Sequence, residues 1–340
     1  MSTEPDNLGR PLRNLRISVT DRCNLRCNYC MPEEEYSWLP KSDVLSFEEI
    51  MRLVDRFVEA GVNKVRITGG EPLLRQDLDK LIAMLAERPI KDLAMTTNGV
   101  LLAQRAAALK RAGLHRLTVS LDSLDPTTFA LLSRRNDLAR VLEGLAAARD
   151  AGFRHTKIDT VAIDGVNDRE LPELIEYARS VDAEIRFIEY MDVGGATRWR
   201  MDRVLSRARI LERVRDHFGG VTAVPRSDSA PAERFRLPDG TTFGVISSVT
   251  SPFCASCDRA RLTADGMWFT CLYAAEGHDL RAMLRGGASD AELDAAVRAV
   301  WSYRADRGAE VRAGIPDRGA LAQADDMRTN PHLEMHTRGG

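Results

Sequence analysis

From residue 16 to about 190, short β-branched runs alternate with longer stretches whose apolar residues recur at helical spacing. The runs predict strands at 16–19, 64–68, 93–96, 116–120, 156–161 and 185–189. Between the first two, residues 47–60 put Ile50, Leu53, Val54, Phe57 and Val58 on one helical face. Ser46 and Glu49 form a capping box there, and Gly61 is the stop signal. Further helices are predicted near 77–87, 100–112, 137–151 and 169–180. Six β/α units in series require parallel strands joined by right-handed crossovers, in an open doubly wound sheet or in a full or partial barrel.

The unusual polar motifs favour the barrel, because each falls just after a predicted strand. Cys23–Cys30 follows the first and Gly69-Gly70-Glu71-Pro72 the second. Thr96-Thr97-Asn98-Gly99 ends the third, Ser120-Leu121-Asp122-Ser123 the fourth, and Met191-Asp192 follows the sixth. Barrel enzymes gather their chemistry at the C-terminal strand ends, where a curved sheet brings the loops together. The predicted fold is therefore α/β, a partial (β/α)6 barrel.

After residue 220 the pattern changes. Residues 221–242 are rich in Pro, Ser, Asp and Gly and read as a loop or linker. The chain is thus expected to divide into a barrel domain over 1–220 and a C-terminal domain over 221–340 that closes the barrel mouth. Residues 261–264 and 267–271 flank Asp265-Gly266, a two-residue hairpin signal. That hairpin pairs residue 260 with Cys271 and brings Cys271 back toward Cys257, but it sets Arg259 and Arg261 on the face opposite Cys271. A late helix is predicted from Ser289, with Glu292 as its capping partner, to about Arg304.

Composition narrows the class. With 340 residues, 44% of them hydrophobic and a net charge of −2, the chain can bury a large core and is not disordered. No apolar run approaches the roughly 18 residues of a membrane span, and MSTEPDNLGR lacks the apolar segment of a signal peptide. A soluble cytoplasmic protein is expected, with neither a membrane nor a nucleic-acid partner.

The six cysteines fall into two triads, Cys23-x3-Cys27-x2-Cys30 and Cys254-x2-Cys257-x13-Cys271. A reducing compartment and an ample core argue against disulfides, and odd triads pair badly within themselves. A structural zinc ion wants four ligands. No histidine lies near the first triad, whereas His278 is a candidate fourth ligand for the second. A [4Fe–4S] cluster suits each triad better, since three thiolates leave one iron open to an exogenous ligand.

With Tyr29 before its third cysteine, the first triad resembles the radical S-adenosylmethionine superfamily, as does Gly69-Gly70-Glu71-Pro72. Over nearly the whole chain the resemblance narrows to the GTP 3′,8-cyclases. It is carried by Arg10-Pro11, 18–23, 65–73, 96–99, 186–189, the second triad with Arg259-Ala260-Arg261, and Gly339-Gly340. It implies two [4Fe–4S] clusters and reductive cleavage of S-adenosylmethionine. Hydrogen abstraction from C3′ of GTP then lets C3′ close onto C8, giving (8S)-3′,8-cyclo-7,8-dihydroguanosine 5′-triphosphate, the first step of molybdenum cofactor biosynthesis. No side-chain general base is implied.

By the same resemblance, Tyr29, Gly70, Ser120 and Met191 contact S-adenosylmethionine, with Glu71 a partner for its amino group. Arg16, Arg66, Thr96, Lys157, Arg259, Ala260 and Arg261 bind GTP, whose triphosphate needs local cations in a near-neutral chain. The implied partners are an electron donor and the downstream cyclic pyranopterin monophosphate synthase; the sequence leaves a homodimer open. The family tail carries an apolar residue before Gly-Gly, where this chain has Arg338, so its docking here is an open expectation. Two rival readings are a radical enzyme acting on a peptide and a zinc-stabilised binding module.

Overall fold

The six predicted strands all form in the computed structural model, each within two residues of its expected bounds; the structure describes residues 4–226 and 229–339. They are β1 (Asn14–Ser18), β2 (Lys64–Thr68), β3 (Asp92–Thr97), β4 (Arg116–Ser120), β5 (Thr156–Ala162) and β6 (Ala183–Glu189). All pair parallel with their neighbours in sequence order. The helix Phe47–Glu59 carries the expected Ser46/Glu49 capping box and buries Ile50, Leu53, Val54 and Phe57. Helices at Leu78–Ala86, Leu102–Arg111, Leu138–Asp150 and Leu171–Ser180 complete the outer layer. Pro126–Ser133 and Arg207–Phe218 are helices the pattern did not reveal, capped by Asp125 and Ser206.

Residues 221–242 are not a linker. They supply β7 (Thr222–Val224) and β8 (Glu233–Arg236), which run antiparallel and lead into β9 (Thr242–Ile246). β9 pairs parallel to β6, while β10 (Arg259–Leu262) pairs parallel to β1. With β11 (Met267–Phe269) and β12 (His278–Asp279), one twelve-stranded sheet runs β12-β11-β10-β1-β2-β3-β4-β5-β6-β9-β8-β7. The six-strand barrel wall is thus extended on both edges by C-terminal strands. Polar residues hid β7 and β8 because both lie at the sheet margin, where one face stays wet.

The β10–β11 hairpin also differs from expectation. Arg261 pairs with Phe269 and Leu262 with Trp268, so the turn spans three residues and not two. Gly266 takes the left-handed position at φ +84°, as three-residue hairpins require. The register moves by one residue, and a one-residue slip exchanges faces. β11 ends at Phe269, two residues before Cys271, and Arg259, Arg261 and Cys271 all line one cavity, so the expected conflict between the arginines and the cysteine does not arise.

The late helix, Asp290–Ser302, has the Ser289/Glu292 capping box and lies beside Phe47–Glu59, to which Arg52–Asp290 (2.7 Å) and Arg56–Asp294 (3.1 Å) tie it. Among the described residues, no helix is long and apolar enough to cross a membrane.

Candidate active site

The sheet curves around a cavity of about 800 Å³, toward the upper end of the roughly 300–1,000 Å³ range of ligand sites. Strand alternation decides what faces it. On β5, Lys157 and Asp159 point in, while Ile158 and Thr160 are buried on the other side. Every residue expected to contact cluster, S-adenosylmethionine or GTP lines this cavity except Ala260 and Glu71. Ala260 lies between Arg259 and Arg261 and points into the apolar core, so only its backbone could face a ligand.

Cys23, Cys27 and Cys30 sit on the loop after β1, whose path is held by a close glycine approach. A Cβ on Gly70 would lie 2.4 Å from the Arg22 carbonyl oxygen, and one on Gly195 would lie 1.8 Å from that of Cys30. Nothing in the sequence around Gly195 marks it, because the atom it must avoid lies on a distant loop. The Cys23 sulfur meets two donors, Leu25 N–H and Asn98 Nδ2, 3.4 and 3.7 Å away. Burial and the facing Glu71 carboxylate push the Cys23 thiol up to about 11.

The second triad opens on the same cavity. Cys257 accepts from Arg259 and Arg304, each at 3.6 Å, and Cys271 accepts from Tyr273 N–H at 3.5 Å. Burial pushes the Cys257 thiol up, but the two guanidiniums outweigh it and bring it down to about 6. Donors at a sulfur suit a thiolate ligand, and Cys23, Cys257 and Cys271 each have at least one. Among the described residues no three His, Cys, Asp or Glu side chains are gathered to hold a single metal ion. His278 does not support zinc at the second triad: it is exposed on β12, pairs with Trp268 and does not line the cavity. The six cysteines form no disulfides.

Between the triads lies a row of cations. Register pairs Arg261 with Arg16 and Arg16 with Arg66, so three arginines stand side by side across β10, β1 and β2. Adjacent strands are about 4.8 Å apart. Burial, then repulsion from Arg261, Arg259 and Arg66, pushes Arg16 well below its ordinary value. Among the described residues, none of Arg16, Arg66, Lys157, Arg259 and Arg261 forms an ion pair. Arg66 Nη1 instead donates to the hydroxyls of Thr96 (3.0 Å) and Thr118 (2.9 Å). Lys64 and Arg186 also line the cavity; their strand positions could have exposed them by the alternation that marks Arg66.

On the other side of the cavity, Tyr29 donates to Asp122 at 2.6 Å, and burial pushes that carboxyl up to about 6. Gly70, Ser120 and Met191 line the same region. Glu71 does not: it is fully buried, and its oxygens accept from Leu73 N–H, Thr97 Oγ1 and Asn98 N–H. Its role is to brace the loop after β3, and burial pushes it up to about 7.

The tail enters the site despite Arg338. That residue is 1% exposed, stacks 4.2 Å from the Phe269 ring and donates to the Leu272 carbonyl at 2.6 Å. Arg261 Nη1 donates to the Gly339 carbonyl at 2.6 Å. Gly340 lies outside the described residues.

Two family models cover the chain, Radical SAM superfamily over residues 17–178 and Molybdenum Cofactor Synthesis C over 183–310. "GTP 3′,8-cyclase 1" of Mycobacterium tuberculosis is 53% identical over 340 residues, covering 98% of this chain and 95% of the relative. "GTP 3′,8-cyclase" of Acidothermus cellulolyticus is 50% identical over 341 residues, covering 96% and 94%. Among solved structures, Streptococcus suis SuiB bound to S-adenosylmethionine shares the fold at TM-score 0.61 and 18% identity, covering 89% of this chain and 68% of that one. Relatives at such identity over nearly full length, with both models in series, mean that the chain belongs to the GTP 3′,8-cyclase family of the radical S-adenosylmethionine superfamily.

Proposed function

We propose that this chain cyclises GTP by radical chemistry at the start of molybdenum cofactor biosynthesis. The observation that carries the reading is the unpaired row Arg261–Arg16–Arg66 standing between two cysteine triads that open on one cavity. A [4Fe–4S] cluster and S-adenosylmethionine come with the superfamily, and when bound they supply the radical that takes the C3′ hydrogen of GTP. Cys23, Cys27 and Cys30 hold that cluster, with Tyr29, Gly70, Ser120 and Met191 around the cofactor.

The protein's own task is to hold and orient GTP. Arg16, Arg66 and Lys157 neutralise the triphosphate, since forked guanidiniums match phosphate oxygens. Thr96 donates or accepts at the substrate through a hydroxyl already oriented by Arg66. Cys254, Cys257 and Cys271 hold a second [4Fe–4S] cluster that positions the guanine, and Arg259 and Arg261 flank it. The barrel unit spans 1–220 and the unit that closes it 221–340. The protein works in the cytoplasm, with an electron donor upstream and cyclic pyranopterin monophosphate synthase downstream.

The test is iron and sulfide content after anaerobic purification, then GTP and S-adenosylmethionine under a reductant. About eight irons per chain and 5′-deoxyadenosine formed only with GTP are expected. About four irons would overturn the second cluster, and eight irons with no dependence on GTP would favour a peptide substrate.

A further inference from the structure

The buried residues behind the second triad form a network that none of the binding roles above uses. Asp6, Arg10 and Arg304 are 5%, 2% and 4% exposed. Asp6 is the shared carboxylate: Arg10 Nε donates to its Oδ2 at 2.6 Å, and Arg304 Nη1 lies 3.4 Å from the same atom. Arg10 Nη1 donates to the carbonyls of Cys254 (2.9 Å) and Asp306 (2.7 Å). Arg304 Nη1 donates to the Cys257 carbonyl at 2.8 Å, and its Nη2 reaches the Cys257 sulfur at 3.6 Å. The Trp301 ring lies 4.5 Å beneath the Arg304 guanidinium, and its indole N–H donates to the Arg10 carbonyl at 3.0 Å.

Asp6 is shared by both guanidiniums, and Arg304 Nε also lies 3.4 Å from Asp306 Oδ2, so the two arginines are held in place by two carboxylates beside the Cys254–Cys257 turn. That bracing fixes the direction in which Arg304 presents its Nη1 and Nη2 to Cys257. Arg304 is the member that reaches a sulfur, and unlike Arg259 it is buried and does not line the cavity. Hydrogen bonds and positive charge at cluster sulfurs favour the reduced state and raise its potential.

We infer that Arg304, braced by Asp6 and Trp301, is a positioning residue for the group held by Cys254, Cys257 and Cys271: it fixes the Cys257 backbone and stabilises added negative charge on that group through the sulfur. The inference rests on the second-cluster reading above.

The test uses full-length Arg304→Gln and Arg304→Lys, assembled anaerobically. Iron is counted and both clusters are titrated by electron paramagnetic resonance, with S-adenosylmethionine added to mark the N-terminal signal. In Arg304→Gln the midpoint of the C-terminal cluster alone is expected to move to more negative potential, with Arg304→Lys between it and the parent. Loss of about four irons in Arg304→Gln, from the C-terminal triad alone, equally supports the positioning role. Unchanged iron and unchanged midpoints in both variants would overturn it, as would equal loss from both triads, which marks a general folding defect. A parent protein holding only about four irons refutes the second-cluster reading itself, before any variant is made.

Discussion

Arg261 Nη1 donates to the Gly339 carbonyl oxygen at 2.6 Å, so a member of the arginine row also holds the chain's tail. The tail fits closely there. Gly339 has φ +71°, and a Cβ would lie 2.3 Å from Thr68 Cγ2. Left-handed backbone costs a non-glycine residue roughly 1–2 kcal/mol before any clash is counted. Gly339→Val is therefore expected to expel the tail: carboxypeptidase releases its residues faster, and cyclised product falls about tenfold or more. Product at the parental rate from a tail shown to be released would mean that the contact does not matter to turnover.

Lys157 gives the site a pH dependence. Burial, with Arg186 and Arg116 adding, pushes its ammonium down to about 7, against 10.5 in the unfolded chain. Its charge weighs against the fold below pH 7, and that penalty fades as pH rises toward 10.5. Triphosphate binding has the opposite sign, because it favours the ammonium. GTP affinity should be full below pH 7 and fall by up to about tenfold per unit above it. Equilibrium dialysis without S-adenosylmethionine measures this, and Lys157→Arg, charged throughout, should flatten the slope. Parallel slopes would remove Lys157 from the phosphate site.

The barrel and its strand-end motifs were legible because period-2 and period-3.6 patterns are strong in its six β/α units. Local signals failed where tertiary pairing decides. β7 and β8 read as linker since marginal strands keep polar residues, and only their pairing to β9 makes them a sheet. The Asp265-Gly266 turn was located correctly, but one residue of loop length set the face of every residue beyond it. Arg304 and Asp6 were invisible as a pair, being 298 positions apart. Gly195 lacked any signal, since its constraint is the distant Cys30 backbone.

That constraint can be tested. A Cβ at position 195 would sit 1.8 Å from the Cys30 carbonyl oxygen, a clash no rotamer change relieves because a Cβ is placed by its own backbone and its partner is a backbone atom. Gly195→Ala must therefore displace the Cys30 loop or the segment after β6. Iron content is expected to fall by about four per chain, with the C-terminal triad's share retained. Full iron content in Gly195→Ala would show that the loop shifts without losing its ligand geometry.

Asp192, which follows the expected cofactor contact Met191, clasps the C-terminal segment to the barrel. It is fully buried; Arg318 donates to both oxygens (2.7 and 2.8 Å), Arg312 to one (2.8 Å), and the Tyr273 hydroxyl to the other (3.0 Å). Tyr273 stands two residues beyond Cys271, so the clasp joins the end of β6 to the second triad's loop. Burial pushes the carboxyl up, but Arg318 and Arg312 outweigh it and hold it below the usual 3.8. Asp192→Asn leaves two guanidiniums without their anion, and breaking a buried pair costs about 3–5 kcal/mol. Because the folded value is depressed, the parent's advantage is complete above pH 4 and is lost as pH falls below it. Urea unfolding should show a gap of that size at pH 7, narrowing at pH 3. A gap that stays constant through the acid range would show that the clasp acts by packing and not by charge.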